Sequence, residues 1–265
     1  MLNFLFWNLR KKNLHSPLAH LCRETEANII IVNEFENLDI SALLHQLGET
    51  YSEVVTEHSR IKIFHNLGND VSRISGNTYY TAVRIKRENL NLNVAGVHLQ
   101  GQSYTNEKGR LALATRLRTA IADFESSEGH NNTVILGDFN MNPFESGMIS
   151  AEGFHAIMCP ITAVNNVVRQ VYEEDRMFFY NPMWHVYGNI TYDTLGTYYY
   201  NSGIENYLWH CFDQVILRPN LVGKFNIDSL KILTKFNEEE DLLFNGVPNK
   251  NVFSDHLPIS FTLNV

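Results

Sequence analysis

Cysteine is scarce: Cys22, Cys159 and Cys211 are the whole complement of a 265-residue chain. Three thiols without CxxC spacing make neither a disulfide framework nor a zinc site. They read as free thiols in a reducing compartment. Long apolar runs are missing as well, since no stretch reaches the length of a membrane span. The opening MLNFLFWNLR lacks a basic leader region and a cleavage site. It reads as a strand that starts almost at Met1, and the compartment expected is the cytoplasm. Positive charge is in deficit: Lys and Arg number 21 against 29 Asp and Glu, a net charge of −8. Proteins that grip duplex nucleic acid by neutralising phosphates usually carry a broad basic face. The acidic balance argues against strong non-specific binding of that kind, although a local basic patch can coexist with it. Repeats, low-complexity tracts and dividing linkers are absent, so one domain spanning 1–265 is expected.

What is present is a core. Hydrophobic residues make up 44% of the chain, enough to bury a substantial interior without covalent staples. Asn3 to Trp7 suits a buried strand. Ser16-Pro17 offers an N-cap and a first-turn proline for a helix ending near Glu26. Ile29 to Val32, four β-branched residues in a row, predicts a central strand buried on both faces. Asp39 is placed to cap a second helix that Gly48 closes. Strand signals recur at Tyr51 to Thr56, Ile61 to His65, Tyr79 to Ile85 and Leu92 to Leu99, with turn residues between. Leu111, Ala114, Leu117, Ile121 and Phe124 then keep helical spacing from about Asn106, with Arg110, Arg116 and Arg118 expected in solvent. Ser126 to Asn132 reads as a loop, and Thr133 to Leu136 as a short buried strand. The stretch Tyr172 to Trp209 holds eight of the twelve tyrosines and two of the three tryptophans. Turn residues such as Asn181-Pro182, Gly188, Gly196 and Gly203 interrupt it, so long loops and short strands are expected. Strands resume at Leu208 to Leu217, Ser229 to Leu233 and Pro258 to Leu263.

Four segments share a design, an apolar strand that runs out into polar or acidic residues. They are FLFWN ending at Asn8, IIIVNE ending at Glu34, VILGDFN carrying Asp138 and Asn140, and VFSDH carrying Asp255 and His256. Groups just beyond strand ends sit on a rigid frame and face a common mouth. Carboxylates converging there repel one another unless a cation neutralises them. Oxygen donors without thiolates or clustered histidines favour Mg²⁺, or Mn²⁺ in its place, over Zn²⁺. Taken singly, each residue has a plainer reading: an Asp after a strand is usually a turn former, Glu34 could meet a lysine, and Asp255-His256 could be a surface pair.

The set is more specific than its members. GDFNMNP (Gly137 to Pro143) joins WN at Trp7, NE at Asn33, FDQVI at Asp213 and SDHLPI at Ser254. In this order and spacing they resemble the endonuclease/exonuclease/phosphatase superfamily from Trp7 to Ile259. The resemblance implies a four-layered α/β sandwich, two mixed β-sheets packed face to face with helices on the outer faces. It implies a Mg²⁺-dependent phosphoesterase that hydrolyses phosphodiesters by in-line attack of water, a nuclease first of all. It further implies roles: Glu34 as principal metal ligand with Asn8 and Asp255, Asp138 orienting and deprotonating the water, and Asn140 donating to a phosphate oxygen. His256 would contact the phosphate, held by Asp213, and His98 matches a histidine near the leaving group, or is a satisfied histidine at a strand end.

There is one departure. Apurinic endonucleases carry an acidic residue two positions after the first-motif Asn, where this chain has Arg10, which speaks against abasic-site repair. Arg10, Lys11 and Lys12 offer a small basic rim for substrate phosphates, or a solvated loop. Trp184, Tyr198, Tyr199 and Tyr200 could stack on bases of a nucleic-acid or nucleotide substrate, or pack the loops. A lipid or inositol phosphate phosphoesterase, and an inactive module of the same fold, are the alternatives. A membrane-binding helix or cationic cluster that would favour the lipid reading is absent.

Overall fold

A computed structural model describes residues 1–56, 59–87, 90–101, 104–187, 189, 194–204, 206–237 and 240–265. The turn expected at Gly188 lies outside them. Two sheets dominate. The first contains β1 (Leu2–Asn8), β2 (Ile29–Asn33), β3 (Ser52–Glu53) and β4 (Ile61–His65), with the strands Phe225–Ile232 and Ile259–Leu263. The second contains β5 (Val71–Gly76), β6 (Tyr80–Arg87), β7 (Leu90–His98) and β8 (Thr133–Asp138), with Ala156–Ile157, Phe179–Tyr180 and Asp213–Leu217. Each sheet is mixed, with a parallel pair at its centre: β1 beside β2, and β7 beside β8. The crossovers run through α1 (His15–Glu24) and α3 (Glu107–Glu128); α2 (Ile40–Leu47) packs beside α1.

Side-chain parity explains the layers, because alternate residues of a strand face opposite sides. Phe4, Phe6, Ile29, Ile31, Ile61 and Ile63 meet Val83, Ile85, Leu92, Val94, Val134, Leu136 and Val215 between the sheets. The residues one step out of phase face the helices. Leu5, Trp7, Ile30 and Val32 pack under Leu18, Leu21 and Leu43, and Ala82, Ala95, Val97 and Ile135 pack under Ala114, Leu117, Ile121 and Phe124. The result is the four-layered α/β sandwich. Central strands buried on both faces must be apolar throughout, and each buried Leu, Ile or Phe contributes about 1.5–3 kcal/mol. That burial, more than propensity, makes IIIV a strand. Near one end the sheets approach closely at Gly96, where a Cβ would lie 2.8 Å from Ile61 Cγ2 and 2.9 Å from Ile31 Cγ2. Beyond that pinch the inner face turns polar.

Several local expectations need correction. Helix α1 starts at His15, so Ser16 is inside it and Leu14 makes no side-chain cap; Pro17 still falls in the first turn, where its missing N–H costs nothing. Helix α3 runs to Glu128 through residues expected to loop, and Gly129 ends it in the left-handed conformation at φ 73°. Arg110 is buried, donating to Glu145 Oε2 at 2.8 Å, rather than solvated. The Tyr51–Thr56 strand shrinks to Ser52–Glu53, and the one expected at 208–217 splits into Trp209–His210 and Asp213–Leu217. β5 and the hairpin Val168–Val171/Glu174–Met177 were not anticipated. Asp39 does cap α2, accepting from Ala42 N at 2.9 Å. Among the described residues no helix is long and apolar enough to cross a membrane, and the three cysteines are free.

Candidate active site

Asn8, Asn33, His98, Asp138 and Asp213 share the parity of the inner core residues on their strands, and they close it at the same end. The registers show this directly: Asn8 lies opposite Asn33, His98 opposite Asp138, and Asp138 opposite Asp213. Asn33 crosses from one sheet to the other, its Nδ2 donating to Val97 O at 2.8 Å. Gly137 makes that edge possible, since a Cβ there would sit 2.1 Å from Val97 O.

Asp138 is the centre of this arrangement and is fully buried. Its Oδ1 accepts from Asn140 N at 2.8 Å, and its Oδ2 from Asn140 Nδ2 and from Asn8 Nδ2, each at 3.1 Å. Burial pushes the carboxyl up to about 7, with the charge of Asp213 in the same direction, against His256, the Asn140 N–H and the Asn8 amide. Across the strand pair, Asp213 Oδ2 lies 2.8 Å from His256 Nδ1. Burial alone would lower the His256 imidazole. The charge and hydrogen bond of Asp213, with Asp138 and Asp255, override it and raise His256 to about 10. At neutral pH His256 is therefore an imidazolium. His98 is the opposite case. Burial first, then the charges of His256, Arg60 and Lys11, push it down to about 4, and it is neutral. Its Nε2 stands 3.7 Å from Glu34 Oε1 and 3.8 Å from Asp138 Oδ2.

The imidazolium is held from all sides. Trp7 Nε1 donates to the His256 carbonyl at 2.9 Å, and Ser254 Oγ accepts from His256 N at 3.1 Å. Thr197 Oγ1 accepts from Asp213 N at 3.1 Å, while Thr197 O accepts from Leu257 N at 2.8 Å. The Tyr198 ring lies 4.8 Å from the His256 ring and stacks on Phe212 at 5.3 Å. Sequence reasoning passed over Thr197 and the role of Trp7. A threonine in an irregular loop sends no signal, whereas the Trp of the WN pair was in view.

At the mouth stand Glu34 and Asp255, with side chains 28% and 23% exposed. Glu34 directly follows β2 and Asp255 lies ahead of the Ile259–Leu263 strand, and these two strands flank β1, which ends at Asn8. Glu34 leaves β2 at φ 47°, and Arg10, Lys11 and Asn140 also have positive φ. Left-handed backbone at non-glycine residues costs about 1–3 kcal/mol each and gathers where function demands it. The basic rim expected at Arg10 to Lys12 is largely committed within the protein. Arg10 Nε pairs with Asp255 Oδ2 at 3.2 Å and its NH1 donates to Lys250 O. Lys12 donates to Lys250 O and Asn251 O, and Lys11 pairs with Glu36 at 3.7 Å.

Two sites could be asked to hold a cation. Among the described residues Asp138, Asp213 and His256 each bring a ligand atom within 4.8 Å of the others. Those atoms are already engaged, and a cation there would have to displace the His256–Asp213 hydrogen bond. Glu34, Asn8 and Asp255 offer oxygens with fewer commitments, in the hard donor set suited to Mg²⁺.

Tyr198 and Tyr200 line one cleft beside this mouth. Trp184 does not join them. Its short helix Met183–Val186 is anchored by buried Met183 and Val186, which leaves Trp184 against Phe144 and in a separate apolar cleft with Met158, Pro160 and Phe225.

Neither a protein-family model nor a curated protein matches the sequence. Solved structures do match the fold. The endonuclease domain of TRAS1, a telomere-specific non-LTR retrotransposon, aligns at 11% identity over 100% of this chain and 99% of its own, with TM-score 0.56. The 3′ phosphatase NExo from Neisseria, bound to a product DNA hairpin, aligns at 13% identity over 100% of both chains, with TM-score 0.57. An endonuclease/exonuclease/phosphatase family protein from Bacteroides thetaiotaomicron aligns at 12% identity over 98% of this chain and 96% of its own, with TM-score 0.58. The chain therefore has the fold of these endonuclease/exonuclease/phosphatase structures.

Proposed function

We propose that this chain, built on the endonuclease/exonuclease/phosphatase fold, is a Mg²⁺-dependent phosphodiesterase that acts in the cytoplasm on nucleic acid or nucleotides, as a nuclease. The observation that carries the reading is the pairing, across one strand register, of a buried carboxylate near neutral pKa with a buried imidazolium. Asp138 and Asp213–His256 are adjacent, and Glu34 and Asp255 stand open at the mouth above them.

Phosphodiester hydrolysis needs a base for the attacking water and positive charge for the phosphoryl oxygens. Asp138 is suited to the first task, since a general base works best with a pKa near the working pH. Its two oxygens are aimed by Asn140 and Asn8, which leaves a lone pair for a water proton. Asn140 Nδ2, now shared between Asp138 and Leu99 O, is within the same group and can turn to a phosphate oxygen. His256 supplies the fixed cation: with Nδ1 held on Asp213, the Nε2–H is the remaining donor, and a preorganised donor costs no reorganisation as charge develops. Neutral His98 gives one N–H beside the leaving oxygen without acting as a source of protons. Glu34, Asn8 and Asp255 would hold the Mg²⁺, which when bound neutralises the diester and stabilises the departing oxygen.

The test is an assay of bis(p-nitrophenyl) phosphate and of short DNA and RNA strands with Mg²⁺, Mn²⁺ or EDTA. Hydrolysis that needs the divalent ion is expected. Absence of turnover on every diester with every ion would leave the inactive module as the reading. Turnover confined to lipid or inositol esters would move the substrate class.

A further inference from the structure

A cleft of 460 Å³ opens directly beside the mouth, lined on one wall by Tyr198, Tyr199 and Tyr200 and on the other by Val247, Pro248 and Lys250. Its floor reaches Arg10 and Asp255, so it is continuous with the site described above. The volume lies in the range that takes one small-molecule unit. Three features of this wall decide what unit that is.

The first is an aromatic face. Tyr200 is 48% exposed, and no ring contact covers it among the described residues, whereas Tyr198 is already stacked on Phe212 and Tyr199 meets Trp209 edge-on. The second is the guanidinium of Arg10. It has five N–H donors in a fixed fork. One goes to Asp255 and one to Lys250 O; the others have no described protein partner. The third is Lys250, exposed at the rim, for whose ammonium group no ion pair is described. A flat apolar face flanked by two cations suits a planar base joined to a further phosphate. It does not suit a quaternary ammonium headgroup, which an aromatic wall could otherwise attract, because Lys250 would repel it while the pairing with Arg10 offsets the charge of Asp255.

We infer that this cleft binds the nucleotide next to the scissile phosphate, with its base on Tyr200 and its outer phosphate between Arg10 and Lys250. The substrate is then a single-stranded polynucleotide or a frayed end, not a mononucleotide ester. In a duplex each base face is covered by its neighbours, and only an unstacked base can lie on Tyr200. The Arg10–Asp255 pair gains a function here. By holding Arg10 across the cleft floor, Asp255 ties the subsite to the mouth, so occupancy of one orients the other. This inference rests on the phosphodiesterase reading and refines it.

The experiment separates the two. Binding of fluorescein-labelled (dT)8 and (U)8 is followed by anisotropy in EDTA, and kcat/KM is measured for the same oligonucleotides and for bis(p-nitrophenyl) phosphate with Mg²⁺. Tyr200→Ala and Lys250→Ala are compared with Tyr172→Ala, an exposed tyrosine in the turn of the hairpin Val168–Met177. For Tyr200→Ala, oligonucleotide Kd should rise about tenfold, as expected for one base stack, and for Lys250→Ala it should rise with a loss of salt dependence equal to about one phosphate contact. The ratio of oligonucleotide to aryl-ester kcat/KM should fall by a similar factor, while Tyr172→Ala shifts neither quantity. Unaltered oligonucleotide affinity in both cleft variants, or tighter binding of duplex than of single strand, would overturn the subsite. Loss of all hydrolysis with binding intact would instead strike the catalytic reading.

Discussion

At the scale of single residues, the site depends on charges that would be unstable in isolation. Asp138 is buried with a second carboxylate, Asp213, across the ladder, and the charge on His256 first, then hydrogen bonds from Asn140 and Asn8, make that tolerable. Asp138→Asn keeps shape and removes the base. It should lower kcat by about 10²–10⁴-fold, the usual span for a general base. His256→Gln should lose a comparable amount while retaining a hydrogen bond to Asp213. Steady-state kinetics on one diester decides both, and near-normal turnover in either variant would remove that residue from the mechanism. His155 shows the same physics away from the site. Its ring is buried against Phe178, and burial, followed by the charge of Arg169, pushes it down to about 4. The sign follows from linkage: unfolded histidine takes a proton below about pH 6.5, folded His155 only near 4. Its contribution is whole above pH 6.5 and is lost as pH falls towards 4. Urea unfolding at pH 7 and pH 5 should show a smaller acid loss for His155→Phe than for the wild type.

At the scale of elements, buried charge joins layers as well as building the site. Arg218, at the end of the Asp213–Leu217 strand, donates to both Glu125 oxygens on α3, at 2.9 and 2.8 Å. It also donates to Phe178 O and lies 3.9 Å over the Phe179 ring. Breaking one side of such a pair strands the other charge, at about 3–5 kcal/mol. Arg218→Met should therefore destabilise strongly, and adding Glu125→Leu should recover most of the loss; denaturant midpoints of the wild type and the two variants measure it. A double variant as unstable as the single would mean that the Phe178 and Phe179 contacts carry the effect. This pair also marks what a linear reading can and cannot reach. Strands β2 and β4 and the axis of α3 were visible because their apolar periodicity is local. Arg110 looked like a solvent-facing charge, because its partner Glu145 lies 35 residues away, and Arg218 drew no notice, its partner Glu125 lying 93 residues away. β5, with pattern VSRISG and no fully buried residue, has too little apolar alternation to announce itself. In the site, strand ends pointed to Asn8, Glu34 and Asp138, since polar residues that end apolar strands are exceptional; VFSDH, expected as a fourth such strand, is turn and bend, and His256 lies in a loop ahead of the Ile259–Leu263 strand. Trp184 was grouped with Tyr198 and Tyr200 by composition alone, and the packing of Met183 and Val186 sends it to another cleft.

Over the whole molecule, four of the 29 acidic residues meet where negative charge is least comfortable. Glu34, Asp138, Asp213 and Asp255 gather at one end of the sandwich around one imidazolium and one committed guanidinium, Arg10. A dication at Glu34, Asn8 and Asp255 would relieve that repulsion only in the folded state, because the unfolded chain separates Asp255 from the other two by more than 200 positions. Binding to the native state alone stabilises by RT ln(1 + [L]/Kd), about 2.7 kcal/mol at a hundredfold excess over Kd. For a chain of this size that is a rise of about 5–10 °C in Tm. Mg²⁺ titration in thermal melts should show this rise, and Glu34→Gln should abolish most of it while leaving the metal-free Tm close to or above that of the wild type. The second half of the expectation is the discriminating one. If Glu34 were a structural residue, its replacement would lower the metal-free Tm. If it is held in strained backbone at φ 47° to present charge to a cation, removing the charge relaxes the empty site and costs only the response to the ion.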